Sequence, residues 1–296
     1  MNRLGRATIE IPYPWVQDEA HLVSLLTSTG LTFEHEVEVA VESPRVDGAS
    51  LGLLTMVGIY VGVLPVAIGL LFLPFVGRLS DEWFEAMLAL TAGLLIFLAA
   101  DAFSEAVEMA AEVPAAFQGT ALVLVGSLGA FLVLQLTGGA RARVEGVDGR
   151  RSIAWLLALG IGLHNMGEGL AIGAAYAIGE AALGASLVMG FMIHNTTEGL
   201  AIIAPIAKDH PRLVSVAGMG ALAGLPTILG AWVGGFAFTP TLATLALAIG
   251  AGAIVQVVTV LFRMFNRVGE SLWRPSIAVG VLGGIVLMYV TGLLVG

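Results

Sequence analysis

His164-Asn165-Met166-Gly167-Glu168-Gly169-Leu170-Ala171-Ile172 and His194-Asn195-Thr196-Thr197-Glu198-Gly199-Leu200-Ala201-Ile202 read as one motif written twice, with seven of nine positions identical at an offset of 30 residues. Each copy sits near the middle of an apolar stretch long enough to cross a bilayer as a helix. His at i and Glu at i+4 share one face of such a helix. Only a few residues separate the two stretches, so the helices are expected to be antiparallel neighbours. The copies would then meet near the bilayer midplane, about an approximate two-fold axis in the membrane plane. The pattern predicts an all-α integral membrane fold built around this pair.

Composition agrees. Apolar residues make up 57% of the 296-residue chain and charged residues 12%, with a mean hydropathy of +0.93. An ordinary globular domain carries about 25% charged residues, so this chain has too little polar surface to cover itself in water. The absence of cysteine excludes a disulfide scaffold, a thiolate zinc site and thiol catalysis. With 13 basic against 22 acidic residues the net charge is −9, which argues against nucleic acid as a partner.

Working outward from the doubled motif, apolar stretches of bilayer length are expected at residues 51–75, 83–107, 116–138, 153–178, 182–206, 213–236, 240–263 and 275–295. That makes eight transmembrane helices in a domain spanning 51–296. All ten basic residues of this domain fall in the loops after spans 1, 3, 5 and 7 or at their edges: Arg78, Arg141, Arg143, Arg150, Arg151, Lys208, Arg212, Arg263, Arg267 and Arg274. This positive-inside asymmetry puts those loops in the cytoplasm and both termini outside a cell (plasma) membrane.

Residues 1–50 form a separate polar appendage. It carries eight acidic residues (Glu10, Asp18, Glu19, Glu34, Glu36, Glu38, Glu42 and Asp47). Thr8–Ile11 and Glu36–Val41 alternate like strands, and Asp18–Thr27 can form an amphipathic helix, so a small α+β unit is expected. No basic n-region, apolar core and cleavage site follow one another, and no cleaved signal peptide is expected.

The spacing of the motif then gives its chemistry. Two facing His/Glu pairs place His164, Glu168, His194 and Glu198 around one point, a mixed nitrogen and oxygen set suited to Zn²⁺, Fe²⁺, Mn²⁺, Co²⁺ or Cd²⁺. Asn165 and Asn195 lie about 100° further round their helices, where they can bind a second ion or hold the first ligands in place. A lone His or Glu in a span is often only a helix-pairing hydrogen bond. Two identical pairs in register are hard to explain that way, because ionisable groups in a bilayer are costly. Asp101 and Glu105, with Glu108, run along one face at the end of span 2 and suggest an electronegative mouth that concentrates cations. Glu108 and Glu112 read equally well as a solvated helix end. Gln256, inside the apolar run of span 7, is either a pathway ligand or a helix-to-helix hydrogen bond. His21, Glu34, His35 and Glu36 fit a solvated strand edge better than a metal trap, and His210 carries no role.

The paired His-Asn-x-x-Glu-Gly motifs, in the fourth and fifth of eight spans, resemble the ZIP family of divalent metal transporters, whose span-4 pattern is His-Asn-x-Pro-Glu-Gly. The Asp101-x-x-x-Glu105 stretch and the Gly250–Gln256 stretch look like a prokaryotic, GufA-related branch, and the resemblance covers about residues 51–296. It implies that His164, Glu168, His194 and Glu198 form a primary metal site, with the asparagines and shared glutamates forming a neighbouring one. Three departures stand out. Gly167 and Thr197 replace the usual Pro, Pro226-Thr227 stands where span 6 often has an acidic ligand, and Val260 or Thr259 stands where span 7 often has Glu. The loop between spans 3 and 4 also lacks a His-rich tract.

The function expected from sequence is uptake of Zn²⁺ or a similar ion into the cytoplasm, with the metal as substrate and no catalytic cofactor. Expected partners are the divalent ion and the lipid bilayer, with a homodimer left open. An enzyme is not expected. The alternatives are an intramembrane metal-dependent hydrolase, disfavoured by the absence of His-Glu-x-x-His and of a nucleophile elbow, and a metal-binding sensor without transport.

Overall fold

The computed structural model describes residues 11–16, 19–37, 46–139, 146–177, 181–265 and 274–295. Eight helices form the body: α1 (Gly48–Val76), α2 (Asp81–Ala110), α3 (Gly119–Gly139), α4 (Val147–Ala177), α5 (Ala181–Ile203), α6 (Leu213–Ala237), α7 (Pro240–Phe265) and α8 (Pro275–Val295). They follow the expected spans closely. The main difference is that α4 starts six residues early, at Val147, and so takes in Arg150 and Arg151. Local chemistry sets several starts. Asp47 accepts from Ser50 N at 2.8 Å and Ser80 from Trp83 N, while Asp81 and Glu82 face the positive end of α2. Proline opens α7 and α8, where its missing N–H costs nothing.

Six of these helical segments are long and apolar enough to cross a membrane: Gly48–Val76, Asp81–Ala110, Ala115–Thr137, Leu213–Ala237, Pro240–Phe265 and Pro275–Leu293. The other two are α4 and α5, whose apolar runs are interrupted by the doubled motif. The chain is a multi-span helical membrane protein.

The helices pack in two groups. α4 lies along α6, and α1 packs on α5 and α6, whereas α2 packs on α7 and α8 and α3 on α7. The α4–α7 contact joins the groups. Packing within the first group depends on glycine. A Cβ at Gly69 would collide with Thr196 O and with Gly199, so α1 and α5 touch backbone to backbone. Gly230 and Gly234 of α6 meet the α4 backbone at Met166 and Leu170 in the same way.

The appendage departs from expectation. Residues 21–26, read as part of a helix, form strand β1 (His21–Leu26), which pairs antiparallel with β2 (Thr32–Val37). The overlooked signal is the turn between them. Thr27 N donates to Leu31 O at 2.8 Å, and Gly30 takes φ +82°, a conformation favouring glycine. Once the turn closes, Leu25 pairs with Phe33 and Val23 with His35 across the strands, which a helix could not provide. The appendage is therefore a two-stranded hairpin among the described residues. Thr8–Glu10 and Glu38–Val41 of the expected strands lie outside the described residues, as do Arg141, Arg143 and Arg267 of the basic loops.

Candidate metal centre

α4 and α5 bring the two motif copies together at the centre of the bundle. His164, Asn165 and Glu168 project from α4, and His194, Asn195 and Glu198 from α5, all buried. Glu168 is the hub. Its Oε1 lies 3.0 Å from His164 Nε2, one turn back on its own helix, and 2.5 Å from His194 Nε2 on α5. Asn195 donates from Nδ2 to Glu168 Oε2 at 3.0 Å. Candidate ligand atoms of His164, Glu168 and His194 all lie within 4.8 Å of one another, close enough to share one ion. The rings of the two histidines are 6.5 Å apart, and Phe191 sets its ring against that of His194.

Glu198, the expected fourth ligand, stands outside this group of three. It is fully buried, with Glu168 and Asn165 as polar neighbours, and neither of its oxygens completes a hydrogen bond among the described residues. The two copies, identical at seven of nine positions, are thus unequal in surroundings. Glu168 collects three hydrogen-bonding contacts, whereas Glu198 has Asn165 beside it but completes none. A buried carboxylate oxygen without a donor is strongly unfavourable, and a cation is the partner that satisfies it best.

The asparagines are oriented by backbone carbonyls of neighbouring helices. Asn165 Nδ2 donates to Ala223 O of α6 at 3.2 Å, three residues before Pro226. Asn195 Nδ2 donates to Val61 O of α1 at 3.1 Å as well as to Glu168. With the amide nitrogens so engaged, both Oδ1 atoms remain buried acceptors without a donor. The centre therefore offers two imidazoles, two carboxylates and two amide oxygens, and no lysine or arginine lies among them. That donor set fits a divalent transition metal.

Asp101 and Glu105 of α2 belong to the same place. They line a cavity of about 20 Å³ together with His164, Glu168, Gly167, Leu247 and Gly250, room for one water-sized occupant. Gly250 lets α7 pass close to His164, since a Cβ there would come within 3.2 Å of His164 Cα. Gln256 is not brought to the centre. It lies six residues further along α7, about 9 Å by helical rise, and is buried with neither end of its amide hydrogen-bonded among the described residues. Glu108 and Glu112 do not line the cavity.

The opposite end of the bundle is different. A pocket there is lined by Asp81, Glu85, Arg150, Lys208 and Asp209 with Phe84 and Phe265. Arg150 holds Asp209 through two hydrogen bonds, Lys208 pairs with Asp81 at 2.6 Å, and Arg274 pairs with Glu85. Along the four helices between centre and pocket lie Leu94 and Leu95, Leu157 and Ile161, Ile202, and Ile254 and Leu261, all members of one buried apolar cluster.

The α1 carbonyl at Val61 is the feature that sequence reading missed, and its one signal was Pro65 inside span 1. No family model matches the chain, and a search of curated proteins finds no match.

Proposed function

We propose that the chain is a zinc-type divalent metal transporter that carries its ion into the cytoplasm through the centre between α4 and α5. The observation that carries this reading is the convergence of His164, Glu168 and His194 inside a bundle of membrane helices. A buried set of ionisable ligands is costly in a bilayer and makes sense where an ion must shed water. The doubled motif, with its resemblance to the ZIP family, supports the same reading. So does the shared cavity, which gives the ligands a carboxylate-lined approach at Asp101 and Glu105.

Two features support the inward direction. Arg150, Lys208 and Arg274 mark the far end of the bundle, which the positive-inside asymmetry places in the cytoplasm. Between the ligands and that end stands the packed apolar layer. Asp101 and Glu105 would gather the ion from outside, the histidines and glutamates would bind it, and the layer would have to part to release it.

The test is zinc flux into liposomes containing the purified chain, read by an internal indicator, with Glu168→Ala and His194→Ala alongside. Saturable flux in the wild type and its loss in both variants is the expected result. Full uptake by Glu168→Ala would sink the assignment, and tight binding without flux would make the chain a sensor.

A further inference from the structure

α1 is not a continuous α-helix. Residues Ile59–Val63 form a π turn, in which Leu64 N reaches back five residues to Ile59 O. Pro65 follows within the same span. Having no N–H, it donates neither to Tyr60 O, five residues earlier in the register of the π turn, nor to Val61 O, four residues earlier in the α register that follows. In a membrane helix a carbonyl freed this way is satisfied by a side chain of a neighbouring helix, and here the donor to Val61 O is Asn195 Nδ2 of α5 at 3.1 Å. The same nitrogen reaches Glu168 Oε2 at 3.0 Å. Val61, Pro65, Asn195 and Glu168 are all buried.

We propose that Pro65 is a positioning residue of the metal centre, withholding an N–H that could reach Val61 O and so leaving that carbonyl to anchor Asn195, which fixes Glu168. The inference rests on the metal-binding reading of the centre. Pro65 touches no ligand and acts through the carbonyl four residues before it. A π turn beside a functional group is a recurrent arrangement, and this one connects α1 to the ligands through two hydrogen bonds in series.

The decisive experiment is a double-mutant cycle on zinc affinity, measured by chelator competition on the full chain in detergent. Pro65→Ala returns an N–H at position 65, and Pro65→Gly returns the same group should the alanine variant fold poorly. The expected result is an affinity weaker by about three- to tenfold, the size of one net hydrogen bond, with no fall in the melting temperature of the metal-free protein. In an Asn195→Ala background the same substitution should change affinity by less than about twofold, because the group it acts through is gone. Equal losses in both backgrounds, or wild-type affinity in both Pro65 variants, would overturn the inference and leave the metal centre standing. Absence of zinc binding by the wild-type chain would overturn the metal reading, and this inference with it.

Discussion

His194 Nε2 lies 2.5 Å from Glu168 Oε1, a contact that joins α5 to α4 across the centre of the bundle. The matching contact in the other direction, from His164 to Glu198, is not formed among the described residues. His164 turns instead to Glu168 on its own helix at 3.0 Å. One carboxylate therefore holds both histidines, and the near-two-fold motif is used asymmetrically.

Glu168→Gln should cost the site most. Glutamine keeps the shape of the side chain but removes the charge around which both imidazoles are gathered. Zinc affinity is expected to fall by about a hundredfold or more, as losing a charged ligand from a small donor set does. A binding isotherm on the folded variant checks this. Affinity within a few fold of wild type would mean that the ion is held elsewhere.

Much of this arrangement is legible in the sequence because membrane spans and helical periodicity leave strong marks. The repeated His-Asn-x-x-Glu-Gly places both histidines and both glutamates on facing helices, and the i, i+4 spacing puts each pair on one face. The inequality of Glu168 and Glu198 is invisible there, since both copies carry the same His, Asn, Glu and Gly and differ in their surroundings. Val61 O is silent for a related reason. Every residue has a carbonyl, and sequence does not report which one a turn or proline leaves free. The hairpin is hidden because Leu22, Val23, Leu25 and Leu26 fit a helical face as well as a strand, and the turn at Gly30 decides between them.

Close helix contact between α1 and α5 gives a stability prediction. Gly69→Leu would force a side chain into Thr196 O and the backbone of Gly199, which cannot move aside as a flexible side chain would. Overpacking against backbone costs about 1–3 kcal/mol or more, and the variant is expected to lose most of its folded, monodisperse fraction in detergent. Gly129→Ala is the contrast. A Cβ at that position on α3 would meet no neighbouring atom within 4 Å, so removing glycine's helix penalty should leave stability unchanged or slightly raised. Size-exclusion profiles and melting curves of the two variants separate the cases, and a Gly69→Leu protein as stable as wild type would contradict this packing.

Glu198 predicts the reverse of the usual outcome for a buried polar side chain. Its oxygens complete no hydrogen bond among the described residues, and Glu168 is a second carboxyl group beside it. Glu198→Gln removes the cost of holding a second carboxyl group buried beside Glu168 and supplies an amide that can donate. The metal-free protein is expected to melt about 2–4 °C higher, near 1 kcal/mol for a chain of this size. Glu168→Gln, which removes the charge facing both imidazoles and sets an amide NH2 against the donating Nδ2 of Asn195, should melt lower than wild type. Thermal unfolding of both variants without metal decides the matter, and a lower melting point for Glu198→Gln would mean that its carboxylate is well partnered in the metal-free protein.

Protons should compete with the metal for the histidines. An ionised carboxylate oxygen only accepts hydrogen bonds, so with Glu168 ionised the Nε2 atoms of His164 and His194 are the donors to its Oε1. An ion bound through those nitrogens has to displace the hydrogens, which either leave or move to the other ring nitrogen. Acid conditions favour the protonated rings and therefore weaken binding, so the sign is fixed: affinity falls as pH falls. Between about pH 7.5 and about pH 5.5 the dissociation constant is expected to rise, because a ligand nitrogen must be free of its proton to bind the ion and protons compete better at lower pH. Titrating zinc into the chain in weak buffer with a pH indicator should also acidify the solution. A dissociation constant that stays level across the interval, with no protons released, would place the ion on the carboxylates and amide oxygens and leave the two imidazoles as bystanders.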